Sequence, residues 1–227
     1  VAFSHSIQSI EKFIRKGQLI SYLKYRPKII FVGKYHSNKR NYLLKMFGSI
    51  NLEWAVDPLF LETNLDESII ENRAIFTSRR DRNLNMLIDI WKKKIFTQNK
   101  SIKLYTTPSD LIDNRYNIFA RNFNDKPSMV KDLLKSKVLL VPGHKGEIFC
   151  IAAEEARELC IPIVTLGIGS LSERVDHGVT GFIAKDIKEF SDYTLELFND
   201  KNLWISLRNN LINLNNNQSK KRKRYTQ

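Results

Sequence analysis

Apolar positions recur along residues 1–26 with the period of one helix face: Phe3, Ile7, Ile10, Phe13 and Ile14, then Leu19, Ile20 and Leu23 beyond Gly17. Pro27 forbids continuation. Lys28-Ile-Ile-Phe-Val-Gly33 is a short apolar run closed by glycine, the pattern of a strand buried on both faces. A second helix is predicted from Lys39 to Phe47, ended by Gly48. From Asn51 to about Arg73 neither period holds, and Trp54, Pro58 and the acidic positions Glu62, Asp66 and Glu67 read as a linker.

Beyond the linker, apolar runs of strand length alternate with longer stretches of helical period. The expected strands are Ala74 to Thr77, Ile102 to Thr106, Asn117 to Ala120, Val138 to Val141, Ile163 to Leu166 and Phe182 to Ala184. The expected helices are Leu84 to Ile95, Ser128 to Lys135, Phe149 to Cys160, Ser172 to Asp176, Ile187 to Phe198 and Leu203 to about Leu214. This alternation predicts an α/β fold, a doubly wound parallel sheet with crossover helices on both faces. Ligands of such sheets sit beyond the carboxyl ends of the strands, which directs attention to the loops after Thr77, Thr106, Val141 and Leu166.

Three of those loops carry candidate chemistry. Thr77-Ser78-Arg79-Arg80-Asp81-Arg82-Asn83 places three arginines and a hydroxyl between a strand end and a helix start, which suits either a phosphate clamp or a solvated basic loop. Pro142-Gly-His-Lys-Gly146-Glu147-Ile-Phe149-Cys150 has glycines that allow close backbone approach, followed by a helix start whose amides at Phe149, Cys150 and Ile151 can face an anion. On that helix Glu154, Arg157 and Glu158 share a polar face, whereas Glu155 projects between Ile151 and Leu159 beside Ala152 and Ala156. An acid so placed needs a partner, either ligand hydroxyls or an ion pair with a neighbouring helix. The third loop, Gly167-Ile-Gly169-Ser170-Leu-Ser172, suits phosphate or sugar contact, with Ser172 as an N-cap. His177-Gly-Val-Thr-Gly181 reads as a turn.

Composition narrows the classes. In 227 residues, 42% are apolar and 27% charged, enough to build a core and too apolar for disorder. Cys150 and Cys160 lie in apolar segments and make no disulfide framework, and with four scattered histidines they make no metal site, so a reducing, cytoplasmic setting and no metal are expected. No apolar run reaches the roughly 20 residues that span a bilayer, and nothing resembles a signal peptide. The chain begins with Val1, so the expectation is a fragment or trimmed product. A net charge of +13 calls for an anionic partner: phosphate ligands, an anionic membrane face or nucleic acid. Five of these charges, Lys220 to Arg224, follow an Asn-rich stretch and read as a solvated end that could also tether the chain peripherally to a membrane. Nucleic acid is the disfavoured partner, because no aromatic platform accompanies the basic run. No GxxxxGKS or GxxxxGKT loop, GxGxxG after the first strand or GxSxG elbow occurs.

The run Glu147-Ile-Phe-Cys-Ile-Ala-Ala-Glu-Glu155-Ala156, with Ile161-Pro-Ile-Val164, Gly167-Ile-Gly169, Glu173-Arg-Val175 and His177-Gly-Val-Thr-Gly-Phe182, resembles the donor-binding domain of retaining glycosyltransferases of the two-Rossmann-domain (GT-B) type, the glycosyl transferases group 1. The carrying feature is two glutamates separated by seven residues, the second followed by alanine. Thr77 to Leu84 resembles the loop that opens this domain, and Ala55-Val-Asp57-Pro-Leu-Phe60 the close of the interdomain linker. Arg82-Asn83 stands where the family has a basic residue and glycine, and Cys160 where a glycine precedes the proline.

The resemblance implies that residues 1–54 end an acceptor-side domain, 55–73 link, 74–212 bind the donor and 213–227 form the tail. It implies transfer of a sugar from a nucleotide-diphosphate sugar to a glycan or lipid-linked acceptor of a bacterial-type envelope, with retention and without a metal or bound cofactor. Glu147 would hold the donor sugar at the reacting centre and Glu155 the ribose hydroxyls. Ser78, Gly146, the amides of Phe149 to Ile151, and Arg79, Arg80 or Arg82 would serve the diphosphate, which arginine being left open. A non-catalytic nucleotide-binding scaffold and a basic nucleic-acid-binding protein are the competing readings.

Overall fold

The computed structural model describes residues 2–3, 14–40, 42–65, 70–121 and 125–224, and the described chain forms two parallel sheets. The smaller sheet has the order β1-β2-β3, with β1 at Ala2–Phe3, β2 at Ile29–Phe31 and β3 at Ser49–Asn51. Its core is Ile29, Phe31, Leu44 and Phe47, against which Leu19 and Tyr22 of helix α1 (Gln18–Tyr25) pack. Three expectations change here. Ala2 and Phe3 are strand rather than helix, paired with Ile29 and Ile30, while Ile7, Ile10 and Phe13 lie outside the described residues. The helix expected from Lys39 to Phe47 is instead α2 (Lys34–Asn38) plus a 3-10 turn at Tyr42–Met46. β3 was unsignalled because all three of its residues are exposed, so no alternation marks it.

The segment read as a linker contains helix α3 (Pro58–Glu62), started by Asp57 accepting from the Leu59 amide at 3.0 Å with proline at the first helical position. Phe60 buries itself in the main core, so this stretch is an element of the larger unit, and part of its acidic patch, Asp66 and Glu67, lies outside the described residues.

The larger sheet begins with β4 (Arg73–Ile75), followed by α4 (Leu84–Ile90), which continues as a π turn through Trp91–Ile95. Then come β5 (Lys103–Thr106), β6 (Ile118–Ala120), α5 (Lys126–Leu134), β7 (Val138–Leu140), α6 (Ile151–Glu158), β8 (Ile163–Thr165), β9 (Gly181–Ile183) and α7 (Ile187–Asn199). The order β6-β5-β4-β7-β8-β9 is parallel throughout, with Ile75 opposite Tyr105 on one side and Leu139 on the other. Every residue of β4, β7 and β8 is buried, as expected of strands covered on both faces. This is the doubly wound fold that the apolar pattern predicts, a Rossmann-like domain. The turn expected as a helix at Ser172 to Asp176 is a 3-10 turn at Gly169–Glu173, so Ser172 lies inside it and caps nothing.

Helix α8 runs over Lys201–Arg224, through the Asn-rich stretch read as a solvated end. Asparagine is a weak helix former, but here tertiary contacts decide. The Asn215 amide donates to the carbonyls of Arg157 (3.1 Å), which also takes the Cys160 amide, and Glu158 (3.0 Å) at the carboxyl end of α6. No described helix is long and apolar enough to cross a membrane. Asn215→Ala is expected to lower stability by about 1–2 kcal/mol in urea unfolding, as loss of two part-buried hydrogen bonds should. An unchanged midpoint would show that α8 beyond Leu211 adds nothing to the fold.

Candidate functional site

In the larger sheet the chain leaves β4 towards β5 on one side, whereas the connection from β7 continues towards β8 on the other. The crossover helices therefore diverge between β4 and β7, and a crevice opens at their carboxyl ends. A cleft of about 210 Å³ occupies it. Thr77, Ser78, Arg79 and Arg82 line it from the β4 side, and Glu147, Cys150 to Ala152 and Glu155 from the β7 side.

Arg82 and Glu147 form its centre. Arg82 Nε lies 3.3 Å from Glu147 Oε2, and both side chains are less than one-fifth exposed. Glu147 Oε1 accepts from the Cys150 amide at 3.3 Å, so the carboxylate sits against the start of α6, where the helix dipole favours negative charge. His144 braces the arginine: its Nδ1 lies 3.0 Å from Arg82 Nη1 and accepts from the Gly146 amide at 3.0 Å, which assigns the ring proton to Nε2. Two glycines hold the loop in place. At Gly169 (φ 79°) a Cβ would strike the carbonyl of His144 and come within 2.9 Å of that of Glu147; at Gly143 (φ 98°) it would meet the Ile168 carbonyl at 2.6 Å.

The three arginines separate. Arg79 stands at the rim, 72% exposed and paired with Asp81 at 3.1 Å. Arg80 ion-pairs with Asp110 and does not line the cleft. Ser78 lines it, and its carbonyl accepts from Thr107 Oγ1 at 2.8 Å. Gly146 lies behind the Arg82–His144 contact rather than on the wall. Of the helix-start amides, that of Cys150 is engaged by Glu147. The Phe149 ring faces away from the cleft, packed against Val32 and Ile148 and covered by the Arg174 guanidinium at 4.1 Å. Ile151, predicted to pack beside Glu155, is exposed at the cleft wall. Burial pushes the Cys150 thiol up to about 12, which leaves it unreactive at neutral pH.

The two faces of α6 differ from the expected assignment. Glu154, placed by spacing on a polar face with Arg157 and Glu158, is buried between Arg174 (2.8 Å) and Arg157 (2.5 Å), and Glu158 is buried too. Glu155 is half-buried on the cleft side with no ion pair shorter than 4.0 Å among the described residues. Burial raises its carboxyl to about 7 against the opposing pull of Arg121 and Lys126, and Asp57 adds to the rise. Ion pairs on this helix belong to Glu154 instead, with Arg174 of the turn before β9 and Arg157 of the same helix.

Four residues here escaped sequence reasoning as site components. Arg121 lies just beyond β6 and nothing local announces it, whereas Arg174 belongs to the Glu173-Arg-Val175 run, with no role assigned there, and arrives on the turn before β9. His144 was quoted only within its loop. Thr77 opens the loop read as a phosphate clamp but carries no role of its own there, and only the strand order brings the residue to the crevice wall. No group of three His, Cys, Asp or Glu side chains suited to a metal occurs among the described residues.

Residues 97–218 match the family model described as glycosyl transferases group 1. No curated protein sequence matches the chain. Among solved structures, the fold is similar to a TarM mutant of S. aureus in complex with fondaparinux, α-GlcNAc-glycerol and UDP (16% identity, TM-score 0.71, covering 93% of this chain and 47% of that one). It is also similar to HepE of Anabaena in complex with UDP and glucose (13%, TM-score 0.69, 94% and 66%). A third is the C-terminal domain of LpcC, a glycosyl transferase group 1 family protein of Francisella tularensis (15%, TM-score 0.54, 70% and 96%). The chain thus spans about half of TarM and just under two thirds of HepE. At these identities the likeness is one of fold.

The position of Glu155 has a pH signature. A carboxyl at about 7 when folded, against an ordinary 4.5, binds more protons in the folded chain between those values. Its contribution is therefore fully present below about 4.5 and is lost as pH rises through about 7. Thermal unfolding of the ligand-free chain between pH 5 and 8 should show stability falling over this window, and Glu155→Gln should flatten the fall. An identical profile in the variant would assign the slope to other groups.

Proposed function

The chain belongs to the glycosyl transferases group 1, and on that premise we propose that its crevice binds a nucleoside-diphosphate sugar and serves transfer of the sugar to an acceptor hydroxyl. One observation carries the reading: a carboxylate, Glu147, is held at a helix start by a half-buried arginine, and a second carboxylate, Glu155, sits further along that helix with no ion pair among the described residues.

In this proposal Arg82, Arg79 and the amides at the start of α6 receive the diphosphate. Positive charge and oriented N–H groups are what a departing diphosphate requires. Glu155 accepts from the ribose hydroxyls. Glu147, released in part from Arg82 when the diphosphate takes up that guanidinium, accepts from the sugar hydroxyls beside the reacting carbon. The bond from the anomeric carbon to the diphosphate oxygen breaks, and a bond to the acceptor oxygen forms on the same face. The acceptor proton leaves with the diphosphate. Retention and a metal-free reaction are parts of the proposal, as is an acceptor of the surface-glycan or lipid-linked class, approached from the side of residues 1–54. Action at the cytoplasmic face of a membrane belongs to it too. UDP, present in the TarM and HepE complexes, is the first nucleotide to try.

Calorimetry with UDP, GDP, ADP and their sugars tests the reading, and binding of none would remove its support. For the nucleotide that binds, Arg82→Ala should weaken affinity about 10- to 100-fold, the range of a charge-assisted contact, while Arg80→Ala changes it less than about twofold. Equal losses would show that the arginines act only through bulk charge. Glu155→Ala should weaken nucleotide binding by about 1.5–3 kcal/mol. Glu147→Ala should leave nucleotide affinity intact and reduce the discrimination between sugars; nucleotide losses of the same size in both variants would contradict this division of labour.

A further inference from the structure

Three threonines stand at strand ends along the carboxyl edge of the larger sheet, and two have their hydroxyls engaged. Thr106 Oγ1 donates to the Thr107 carbonyl at 3.1 Å, and Thr165 Oγ1 accepts from the Gly167 amide at 3.1 Å. The third, Thr77, stands just beyond β4 at the switch point. Its Oγ1 has essentially no exposure and no hydrogen-bond partner among the described residues, although the residue lines the cleft. A buried hydroxyl without a partner is a standing cost to the fold.

We infer that Thr77 is a ligand-binding residue of this cleft and that its hydroxyl donates to a non-bridging oxygen of the donor's diphosphate. The inference rests on the donor-site reading above and adds to it a residue with a defined atom and partner. The choice of partner follows from the surroundings. Thr77 shares its wall with Arg79 and Arg82 and faces the start of α6, so an anion is the group this end of the cleft is charged to receive. The carboxylate suited to accept from ribose, Glu155, lies a full helical turn further along α6. A hydroxyl also supplies what the two arginines do not, a short neutral donor at fixed depth, because a threonine at a strand end has little freedom about its first side-chain torsion.

The test compares the whole chain with Thr77→Val, which keeps the shape and removes the hydroxyl, and Thr77→Ser, which keeps the hydroxyl. The probes are UDP, GDP and ADP, the tightest binder being carried forward, together with the matching nucleoside. Thr77→Val is expected to weaken the diphosphate about tenfold and to leave the nucleoside unchanged, with Thr77→Ser within about twofold of the parent. Without nucleotide, the melting temperature of Thr77→Val should equal or exceed that of the parent, because an unpaired buried polar group has been removed; its nucleotide-induced rise should shrink. Parent-like diphosphate affinity in Thr77→Val overturns the inference while leaving the donor-site reading intact. A loss in Thr77→Ser equal to that in Thr77→Val overturns it as well, since packing and not the hydroxyl would then be responsible. Failure of the parent to bind any of the three nucleotides overturns the donor-site reading and this inference together.

Discussion

The position of β4, hydrogen-bonded to β5 on one side and β7 on the other, is the constraint on which the rest depends. Crossover connections leave these two strands in opposite directions, so no helix covers their carboxyl ends, and the crevice follows from the winding of the chain. The start of α6 then projects into that crevice with N–H groups that have no partner within the helix. Glu147 answers them from one side and Arg82 answers Glu147 from the other. An ion pair of this kind, partly desolvated and bonded to both a backbone amide and a guanidinium, is set up to exchange partners when an anion arrives.

The smaller sheet is tied to this arrangement by a buried polar hub. Arg174 Nη1 bridges Glu154 of α6 at 2.8 Å and Glu53, just beyond β3, at 3.3 Å, while its plane stacks on Phe149. Val32, just beyond β2, packs on Ile148 and Phe149, and Tyr35 Oη donates to the Lys145 carbonyl at 2.8 Å. These contacts reach the residues on either side of Glu147. The geometry of the crevice is thereby coupled to the unit that precedes it, and it is a guanidinium that makes the coupling, because only a planar, multi-donor cation can stack and bridge two carboxylates at once.

Left-handed backbone stands at both ends of α6 and at the start of α4. Asn83, Cys150 and Cys160 all adopt left-handed φ angles, 63°, 57° and 55°, at the start of α4, the start of α6 and the turn after α6. Non-glycine residues there cost energy unless the surroundings hold them. Asn83 is held by its side-chain amide donating to the Gly143 carbonyl at 2.5 Å, a bond that also ties the β4 loop to the β7 loop. Both cysteines are buried, which suits a small apolar side chain and keeps their thiols protonated.

The period of apolar residues by itself determined the parallel α/β architecture from Ala74 onward, because strands covered on both faces must be continuously apolar and their crossover helices must carry a stripe. It also determined that the loops around Arg82 and Glu147 lie at strand ends, and the seven-residue glutamate spacing placed one carboxylate just before α6 and the other within it. What it could not determine were features made by residues distant in the chain. Glu154 and Glu155 are adjacent and chemically alike, and only the arrival of Arg174 from the turn before β9 decides that one is a buried structural anion and the other an acid facing the cleft. Asn215 looks like part of a solvated end until the carboxyl end of α6 offers it two carbonyls. Arg79, Arg80 and Arg82 are equivalent as charges, and Asp110, Asp81 and Glu147 sort them. Local periodicity reports which face of an element is buried; which buried or half-buried polar group meets which partner is set by the order of the strands.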